Sequence, residues 1–175
     1  MRMRIAALPM VAVMIAGCVS IEERMQRSGV PAGVTENGIQ AVLMVSQGQV
    51  KRGRPLTLYF AIRNLRDSEV RIGTELTRDS GLAGLKLIDP TGQYPPFQDV
   101  LLKKSYVKVK DTRLLKTNGV HVATWQLGGN ETRMLQPGFH AITGVYIGVK
   151  NLNGACDKWW EGRLESNPVM VQVLE

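Results

Sequence analysis

Short segments in which apolar and polar residues alternate constrain the fold of this chain more than any other feature of its sequence. The clearest is residues 56–63, where Leu56, Leu58, Phe60 and Ile62 occupy every second position. Successive side chains of a β-strand point to opposite faces of the sheet. The alternation therefore predicts a strand with one buried face and one exposed face.

Segments of similar strand character follow one another along most of the chain. Gly, Pro, Asn and Asp residues typical of turns separate them, and no long amphipathic helix interrupts the series. The segments are residues 39–46, 56–63, 70–72, 85–88, 103–110, 120–127, 131–135, 139–149 and 169–174. About eight or nine short strands predict an all-β fold, a single antiparallel β-sandwich in which two sheets bury each other's apolar faces.

Two hairpins are predicted within this series. Residues 64–68 form a turn that would pair residues 56–63 with residues 70–72. Asn118-Gly119 lies between two further extended segments, and this dipeptide favours a two-residue hairpin turn because both central residues of that turn need positive φ.

Several short motifs recur at places where a known domain type has them. They are Arg-Pro-Leu-Thr-Leu at 54–58 with Asn64 at the strand exit, Leu-Gln-Pro-Gly at 135–138, Trp-Glu-Gly at 160–162 and Ser-Asn-Pro at 166–168. With this order the chain resembles the immunoglobulin-like and fibronectin-type domains of bacterial surface proteins over most of residues 38–175. The resemblance implies an immunoglobulin-like sandwich, although the paired inter-sheet cysteines of antibody domains and the tryptophan between them are missing.

The amino terminus has the layout of a secretory signal. Arg2 and Arg4 precede residues 5–15, which are apolar apart from Pro9. This apolar segment is too short to span a bilayer, which needs about 20 residues. It ends in Ile15-Ala16-Gly17-Cys18.

This ending resembles the lipobox of bacterial lipoprotein precursors. The resemblance implies that residues 1–17 are a signal peptide, that Cys18 receives a diacylglycerol on its sulfur, and that the mature protein is held in the membrane by lipid. Because Val19 and not aspartate follows Cys18, it further implies the outer membrane of a Gram-negative host, with the domain facing the periplasm. The alternative is an ordinary cleaved signal with a coincidental cysteine.

Residues 18–37 are polar and rich in turn residues, which predicts a flexible tether with a reach of roughly 60 Å ahead of the domain at residues 38–175. Residues 21–25 within it have the composition of one helical turn. The formal charge falls from +7 to +5 when Arg2 and Arg4 leave with the signal. A basic domain is compatible with an envelope protein, an anionic glycan or an anionic lipid as partner, but no pattern typical of nucleic-acid binding occurs.

No pattern of catalytic residues occurs in the sequence, so we expect no enzyme, no metal and no cofactor. The two histidines, His121 and His140, lack metal-ligand spacing, and neither a nucleophile elbow nor a phosphate-binding loop is present. Cys156 has no partner if Cys18 carries lipid, and nothing around it indicates an activated thiolate. A hydrolase built on one of the histidines remains as an alternative.

Three segments are candidates for a binding surface. Each has a structural interpretation as well, as a loop over the core, as lysines that protect a strand edge, or as rings packed on the end of the sandwich. The candidate residues are Tyr94 and Phe97 in a proline-rich loop, Lys103, Lys104, Lys108 and Lys110 in a basic strand, and the neighbours Trp159 and Trp160.

Together these features predict a lipid-anchored cell-envelope protein with a non-catalytic binding or scaffolding sandwich. A protein-directed regulator, such as an envelope protease inhibitor or an assembly factor, is the alternative of a different class. It would use the loop at 94–97 or the segment at 151–160.

Overall fold

The computed structural model describes residues 20–26, 32–74, 76–78, 82–93, 112–148 and 158–175. Two short helices and ten strands lie in these ranges. They are α1 (Ile21–Gln26), β1 (Ile39–Val45), β2 (Gln49–Lys51), β3 (Leu56–Asn64), β4 (Val70–Gly73), β5 (Ala83–Ile88), β6 (Thr112–Leu115), β7 (Val120–Leu127), α2 (Gly129–Met134), β8 (Gly138–Gly148), β9 (Gly162–Glu165) and β10 (Val169–Leu174).

The strands form an all-β sandwich of mainly antiparallel sheets, which confirms the predicted fold class. A three-stranded sheet has the order β1-β3-β7, and a five-stranded sheet has the order β2-β10-β8-β5 with β9 also on β8. Strands β4 and β6 make a small third sheet. The pairing is antiparallel except between β2 and β10, which run parallel among the described strands. The strand β2, which the sequence did not indicate, accounts for this exception.

The core lies between the two larger sheets. Phe60 of β3 and Trp125 of β7 stack with their ring centroids 4.4 Å apart. Ile142 and Tyr146 of β8 and Trp160 belong to the same buried cluster. The core residues of β3 occupy every second position, as the alternation in the sequence predicts. In β8 the core positions Ile142 and Tyr146 are even-numbered, while Phe139 is 57% exposed. Trp160 lies outside the described strands.

Neither predicted hairpin forms, because β4 and β6 pair with each other in the small sheet. Strand β3 pairs with β1 and β7, and β4 pairs with β6. The buried Asn64 side chain stabilises the segments that connect the three-stranded sheet to the small sheet. Its amide nitrogen lies 2.8 Å from the Ser68 carbonyl oxygen, 3.1 Å from that of Leu115 and 3.0 Å from that of Lys116.

The Asn118-Gly119 turn connects two different sheets. Asn118 has a φ of 58°, while Gly119 is not among the residues with positive φ, and the Gly119 N–H donates to the Lys116 carbonyl at 2.8 Å. With one left-handed residue, this is not the hairpin turn that the dipeptide favours.

Residues 131–135, predicted as a strand, lie largely in helix α2. The Glu131 carboxylate accepts the Gly128 N–H at 2.6 Å, which stabilises the first turn of this helix. The prediction is wrong because a glycine lacks the side-chain cap that normally signals a helix start. Gly128 therefore lies at the start of a helix, as the glycines of a phosphate-binding loop do, but its N–H is already bonded to the Glu131 carboxylate.

Part of the predicted tether is folded onto the domain. Ser20 and Glu23 cap helix α1 through two reciprocal bonds of 3.1 Å, and Met25 is fully buried. Met25 clusters with side chains on the outer face of the three-stranded sheet, namely Val42, Ala61 and Val120. Residues 20–26 therefore pack with the domain and are not part of a free tether. Neither described helix is long and apolar enough to cross a membrane.

Candidate functional site

Strand β7 forms an outer edge of the three-stranded sheet, and its register shows which backbone groups face outward. Just before β7, the Asn64 N–H of β3 donates to the Gly119 carbonyl at 2.9 Å. The pairing then continues in register to Leu56 opposite Leu127. Because the bonding direction alternates along an antiparallel strand, odd-numbered residues of β7 bond to β3 and even-numbered residues face away from it.

Among the residues that the structure describes, Val122 and Thr124 in the middle of this edge have backbone groups without a bonding partner. No residue of the described ranges accepts from their N–H groups or donates to their carbonyls. Gln126, the next outward residue, accepts a bond of 2.7 Å from the Arg78 guanidinium. This contact agrees with the outward direction derived for the even-numbered residues. From Val122 to Gln126 the edge extends over about 13 Å.

A cleft of about 630 Å³ runs beside these unbonded groups. Its volume is within the range of roughly 300–1,000 Å³ that ligand sites occupy. Trp125 is buried below it, and its indole N–H donates to the Leu76 carbonyl. The lining residues are Thr74, Leu76, Thr77 and Arg78 on one side, His121 to Gln126 on the other, and Glu131 at one end.

An ion pair closes the end of the cleft near α2. The Arg78 guanidinium lies 2.6 Å from the Glu131 carboxylate. Burial alone would raise the pKa of Glu131, but the bonds from Arg78 and from the Gly128 N–H outweigh burial and lower it. Glu131 is therefore ionised at neutral pH, and the two charges at this end neutralise each other.

His121 lines the opposite end of the cleft, and Arg113 lies next to it. The His121 Nδ1 atom lies 3.2 Å from the Arg113 guanidinium. Burial, and then the charge of Arg113, lower the pKa of His121. The ring is therefore neutral at pH 7, with Nδ1 as the acceptor of the Arg113 N–H. Both ends of the cleft are thus occupied by paired side chains, while in its middle the backbone groups of Val122 and Thr124 have no partner among the described residues.

The tryptophan pair divides between core and surface. Trp160 is 1% exposed, stacks on Tyr146 at 5.8 Å, and donates its indole N–H to the Glu36 carbonyl at 3.3 Å. Trp160 is a core residue, so its assignment to a binding surface is wrong. Trp159 is half-buried, and its backbone pairs with Arg71.

The other sequence-predicted site residues lie outside the described ranges. They are Cys18, Tyr94, Phe97, Lys103, Lys104, Lys108 and Lys110. Cys156 lies outside as well. Of the two histidines, His121 lines the cleft, whereas His140 is fully buried with its Nε2 atom 2.7 Å from the Gln136 carbonyl oxygen. Within the ranges that the structure describes, no three acidic, histidine or cysteine residues are grouped to hold a metal.

The cleft was not predicted from the sequence. One end depends on Arg78 and Glu131, which are 53 residues apart along the chain. The local signal is weak, since Thr124 and Gln126 are polar residues on the exposed face of an ordinary alternating strand. That β7 is an edge strand follows only from the sheet topology.

No family model and no curated protein matches this chain. Among solved structures, the C-terminal domain of Wzt is similar, with 8% identity, a TM-score of 0.47, and coverage of 80% of this chain and 75% of that one. The CARDB domain from Pyrococcus furiosus shows 11% identity and a TM-score of 0.38 over 78% of this chain and 94% of that one. A β-glucosidase from Erythrobacter marinus shows 12% identity and a TM-score of 0.42, and the matched part of this chain, 78%, spans only 15% of the glucosidase. These similarities carry no conclusion about function.

Proposed function

We propose that this chain is a lipid-anchored, non-catalytic binding protein of the cell envelope whose partner is an extended polypeptide segment. The observation that carries the proposal is the row of unbonded backbone groups at Val122 and Thr124 beside an open cleft. An extended peptide laid along β7 would pair with these groups and add a fourth strand to the sheet.

Strand addition accounts for the chemistry of the cleft better than a small-molecule site does. Natural sheets usually protect their edges with charges, prolines or a covering loop. Here Arg78 is engaged with Glu131, and His121 is engaged with Arg113, so these side chains do not occupy the middle of the cleft. Each backbone bond to a partner would contribute about 0.5–1.5 kcal/mol, and Val122 and Thr124 offer two bonds each.

A polypeptide partner favours the protein-directed role among the functions that the sequence leaves open. An assembly factor or an inhibitor would recognise an extended segment of another envelope protein. An anionic glycan or lipid would instead require an unpaired cation, and Arg78, the one cation among the described lining residues, is paired with Glu131.

The anchor supports a location next to the membrane. Helix α1 begins at Ile21, three residues after the cysteine of the lipobox, and it is packed on the domain. A lipid on Cys18 would then hold the domain close to the bilayer, without the long tether that the sequence predicts. Attachment to the outer membrane, facing the periplasm, applies if the host is Gram-negative.

Peptide selection tests the binding role. A displayed library of random linear 12-residue peptides is panned against the purified chain, and the affinity of a selected peptide is measured by fluorescence anisotropy. We expect Thr124→Pro, which removes one outward N–H and places a ring at the edge, to weaken binding at least about tenfold. The exposed Phe139, on the five-stranded sheet, gives the control variant Phe139→Ala, which should bind like the wild type.

N-methylated peptides add a second comparison. Two versions of the selected peptide are made, one N-methylated at its odd-numbered residues and one at its even-numbered residues. Only every second N–H of the peptide faces β7, so one version should lose binding and the other should bind like the unmodified peptide. Equal affinity of both peptides, or of wild type and Thr124→Pro, would reject strand addition. Intact mass and detergent partitioning of wild type and Cys18→Ala test the anchor separately, and an unmodified Cys18 would remove it.

A further inference from the structure

Positive charge is concentrated at the end of the sandwich where β3 begins. The turn between β2 and β3 crosses there from the five-stranded to the three-stranded sheet, and the Arg54 N–H donates to the Lys51 carbonyl at 3.0 Å. Helix α2 lies on this turn, and the Thr132 hydroxyl donates to the Arg54 carbonyl at 2.8 Å. We call this surface the basic end, and its residues are Lys51, Arg52, Arg54, Arg133, Met134 and Phe139.

Two arginines of the basic end are held against the same turn. The Arg52 Nη2 atom donates to the Arg133 carbonyl at 2.8 Å. A Cβ atom at Gly53 would lie 3.5 Å from both Nε and Nη2 of Arg133, so the Arg133 guanidinium lies over the turn. Lys51 and Arg54 belong to the turn itself, and all four cations are exposed. The fold therefore brings positive charges from two distant segments onto one surface.

Few negative charges offset these cations. None of the ion pairs among the described residues involves a cation of the basic end. Of the acidic side chains nearby, Glu131 is paired with Arg78, and the Asp89 carboxylate accepts hydrogen bonds within its own turn. Glu175 follows β10, whose last carbonyl accepts the Arg52 N–H at 2.9 Å. Four cations thus face two acidic side chains, Asp89 and Glu175, and a partner of opposite charge would relieve their mutual repulsion.

Two large apolar side chains are exposed at the basic end. Met134, the last residue of α2, is 50% exposed, and Phe139, near the start of β8, is 57% exposed. The short connection between them includes Pro137, which is exposed as well. Single exposed apolar residues are common on protein surfaces, but these two lie next to the cations. The basic end therefore offers positive charge and apolar surface to the same partner.

This combination matches the interface of an anionic bilayer. Cations attract the phosphates of anionic lipids, and exposed apolar side chains enter the boundary between head groups and acyl chains. A soluble acidic polypeptide would account for the cations but not for Met134 and Phe139. A small anion would need donors that converge on one point, whereas these cations are spread over a turn and the end of a helix.

The proposed lipid on Cys18 would bring the domain to such a bilayer. Cys18 precedes Ile21, the first residue of the packed helix α1, by three residues, a span of at most about 10 Å. A domain held this closely turns some part of its surface towards the lipid. We infer that this part is the basic end, and that it binds the surface of an anionic phospholipid bilayer. The inference rests on the proposed anchor for the location of the domain, but not for the chemistry of the surface.

Methionine methyl groups report which surface faces the lipid. The chain, labelled with ¹³C in its methionine methyl groups, is reconstituted in lipid nanodiscs that contain a nitroxide-labelled lipid. Met134 lies at the basic end, Met44 on the outer face of the three-stranded sheet and Met170 on that of the five-stranded sheet. Methionine-to-leucine variants assign the three signals. In discs of phosphatidylcholine with phosphatidylglycerol, the Met134 signal should be broadened at least about threefold more than the other two.

Two double variants test the role of charge. Arg54→Gln with Arg133→Gln removes two cations of the basic end, and the broadening of Met134 should fall at least about threefold, to the level in discs of phosphatidylcholine alone. Arg24→Gln with Lys116→Gln removes the same charge from exposed positions on α1 and before β7, and should behave like the wild type. Higher salt should act like the first variant, because salt screens exposed charges.

The inference is overturned if Met44 or Met170 is broadened more than Met134, or if the two double variants behave alike. A hexaglutamate peptide represents a soluble acidic partner. A saturable shift of the Met134 signal with this peptide, together with equal broadening in neutral and anionic discs, would assign the cations to a polypeptide and would also overturn the inference.

Intact mass of the same sample reports the lipid on Cys18 separately. A chain without lipid is added to the same discs as a free protein, and anionic discs should still broaden the Met134 signal more than neutral discs do. A missing lipid with this preference retained would remove the anchor and leave the basic end as a lipid-binding surface. An acylated chain without the preference would keep the anchor and overturn the inference.

Discussion

The two edges of the three-stranded sheet differ in whether their outward-facing backbone groups are hydrogen-bonded. On β1, the Leu43 N–H and carbonyl both bond to the Asn167 side chain, at 3.0 and 3.1 Å. The Ala41 carbonyl accepts the Gly33 N–H at 2.9 Å. On β7, at the other edge, Val122 and Thr124 have no such partners in the described part of the chain.

Closure of the β1 edge depends on particular residues. A Cβ atom at Gly33 would lie 1.8 Å from the Glu165 carbonyl oxygen, so only glycine allows the amino-terminal segment to approach this closely. Asn167 occupies the short connection between β9 and β10 and reaches across to β1. Within the described part of the chain, one edge is closed in this way and the other is open, and this contrast is the reason for assigning a partner to β7.

The largest effect should come from proline at adjacent positions of β7. Ala123→Pro removes an N–H that bonds to β3, so we expect a loss of about 3 kcal/mol or more in the free energy of unfolding. Thr124→Pro removes an N–H that faces outward, and we expect a loss of about 1 kcal/mol or less. Urea unfolding of both variants measures the difference. Equal losses would show that Thr124 is bonded and that the edge is closed.

A smaller effect is expected at the closed edge. Asn167→Ala leaves the buried Leu43 N–H and carbonyl without partners, which should cost about 2–3 kcal/mol. The exposed Thr124 side chain offers the comparison, and Thr124→Ala should change stability by less than about 0.5 kcal/mol. If Asn167→Ala is as mild as Thr124→Ala, the side chain does not close the β1 edge.

The ion pair at the end of the cleft should have the smallest effect and depend on pH. Glu131→Gln weakens the contact with Arg78 and should cost about 1 kcal/mol at pH 7. The pKa of Glu131 is lowered in the folded state, so its contribution is present above the ordinary glutamate pKa and disappears as the pH falls through the folded value. Denaturation at pH 7 and pH 3 should thus show the two proteins converging at low pH.

A more exposed ion pair gives the control for this measurement. Lys158 and Glu69 are 3.3 Å apart, with side chains 56% and 37% exposed. Glu69→Gln should change stability by less than about 0.5 kcal/mol at either pH. An equal effect of Glu69→Gln and Glu131→Gln would mean that the closure of the cleft by Arg78 contributes nothing specific.

Features that depend on local sequence could be predicted, and features that depend on pairing could not. The alternation in residues 56–63 identifies β3 because the direction of a side chain follows directly from strand geometry. Whether β3 pairs with β4 depends on the distant carbonyls that Asn64 bonds, which no local pattern shows. The start of α2 was missed because Glu131 caps a glycine, and the usual signal is a polar N-cap residue.

The same distinction applies to the sites. Alternation predicts that one ring of Trp159-Trp160 enters the core, but the choice of Trp160 depends on Tyr146 and Glu36. Strands β3 and β7 alternate alike in sequence, and only the sheet order makes β7 an edge. Arg63 lies on the face of β3 that the alternation predicts to be exposed, yet only 8% of it is exposed. Helix α1, which packs on this outer face, belongs to a segment that the sequence predicts to be a tether.

Backbone amide hydrogen exchange of the free protein tests the open edge most directly. The Ala123 and Trp125 amides bond to β3, and the Leu43 amide bonds to Asn167, so all three should be protected. The Val122 and Thr124 amides should exchange at least about 100-fold faster than these, although they belong to the same strand as two of them. Protection of Val122 and Thr124 equal to that of Ala123 would contradict the open edge, and with it the proposed mode of binding.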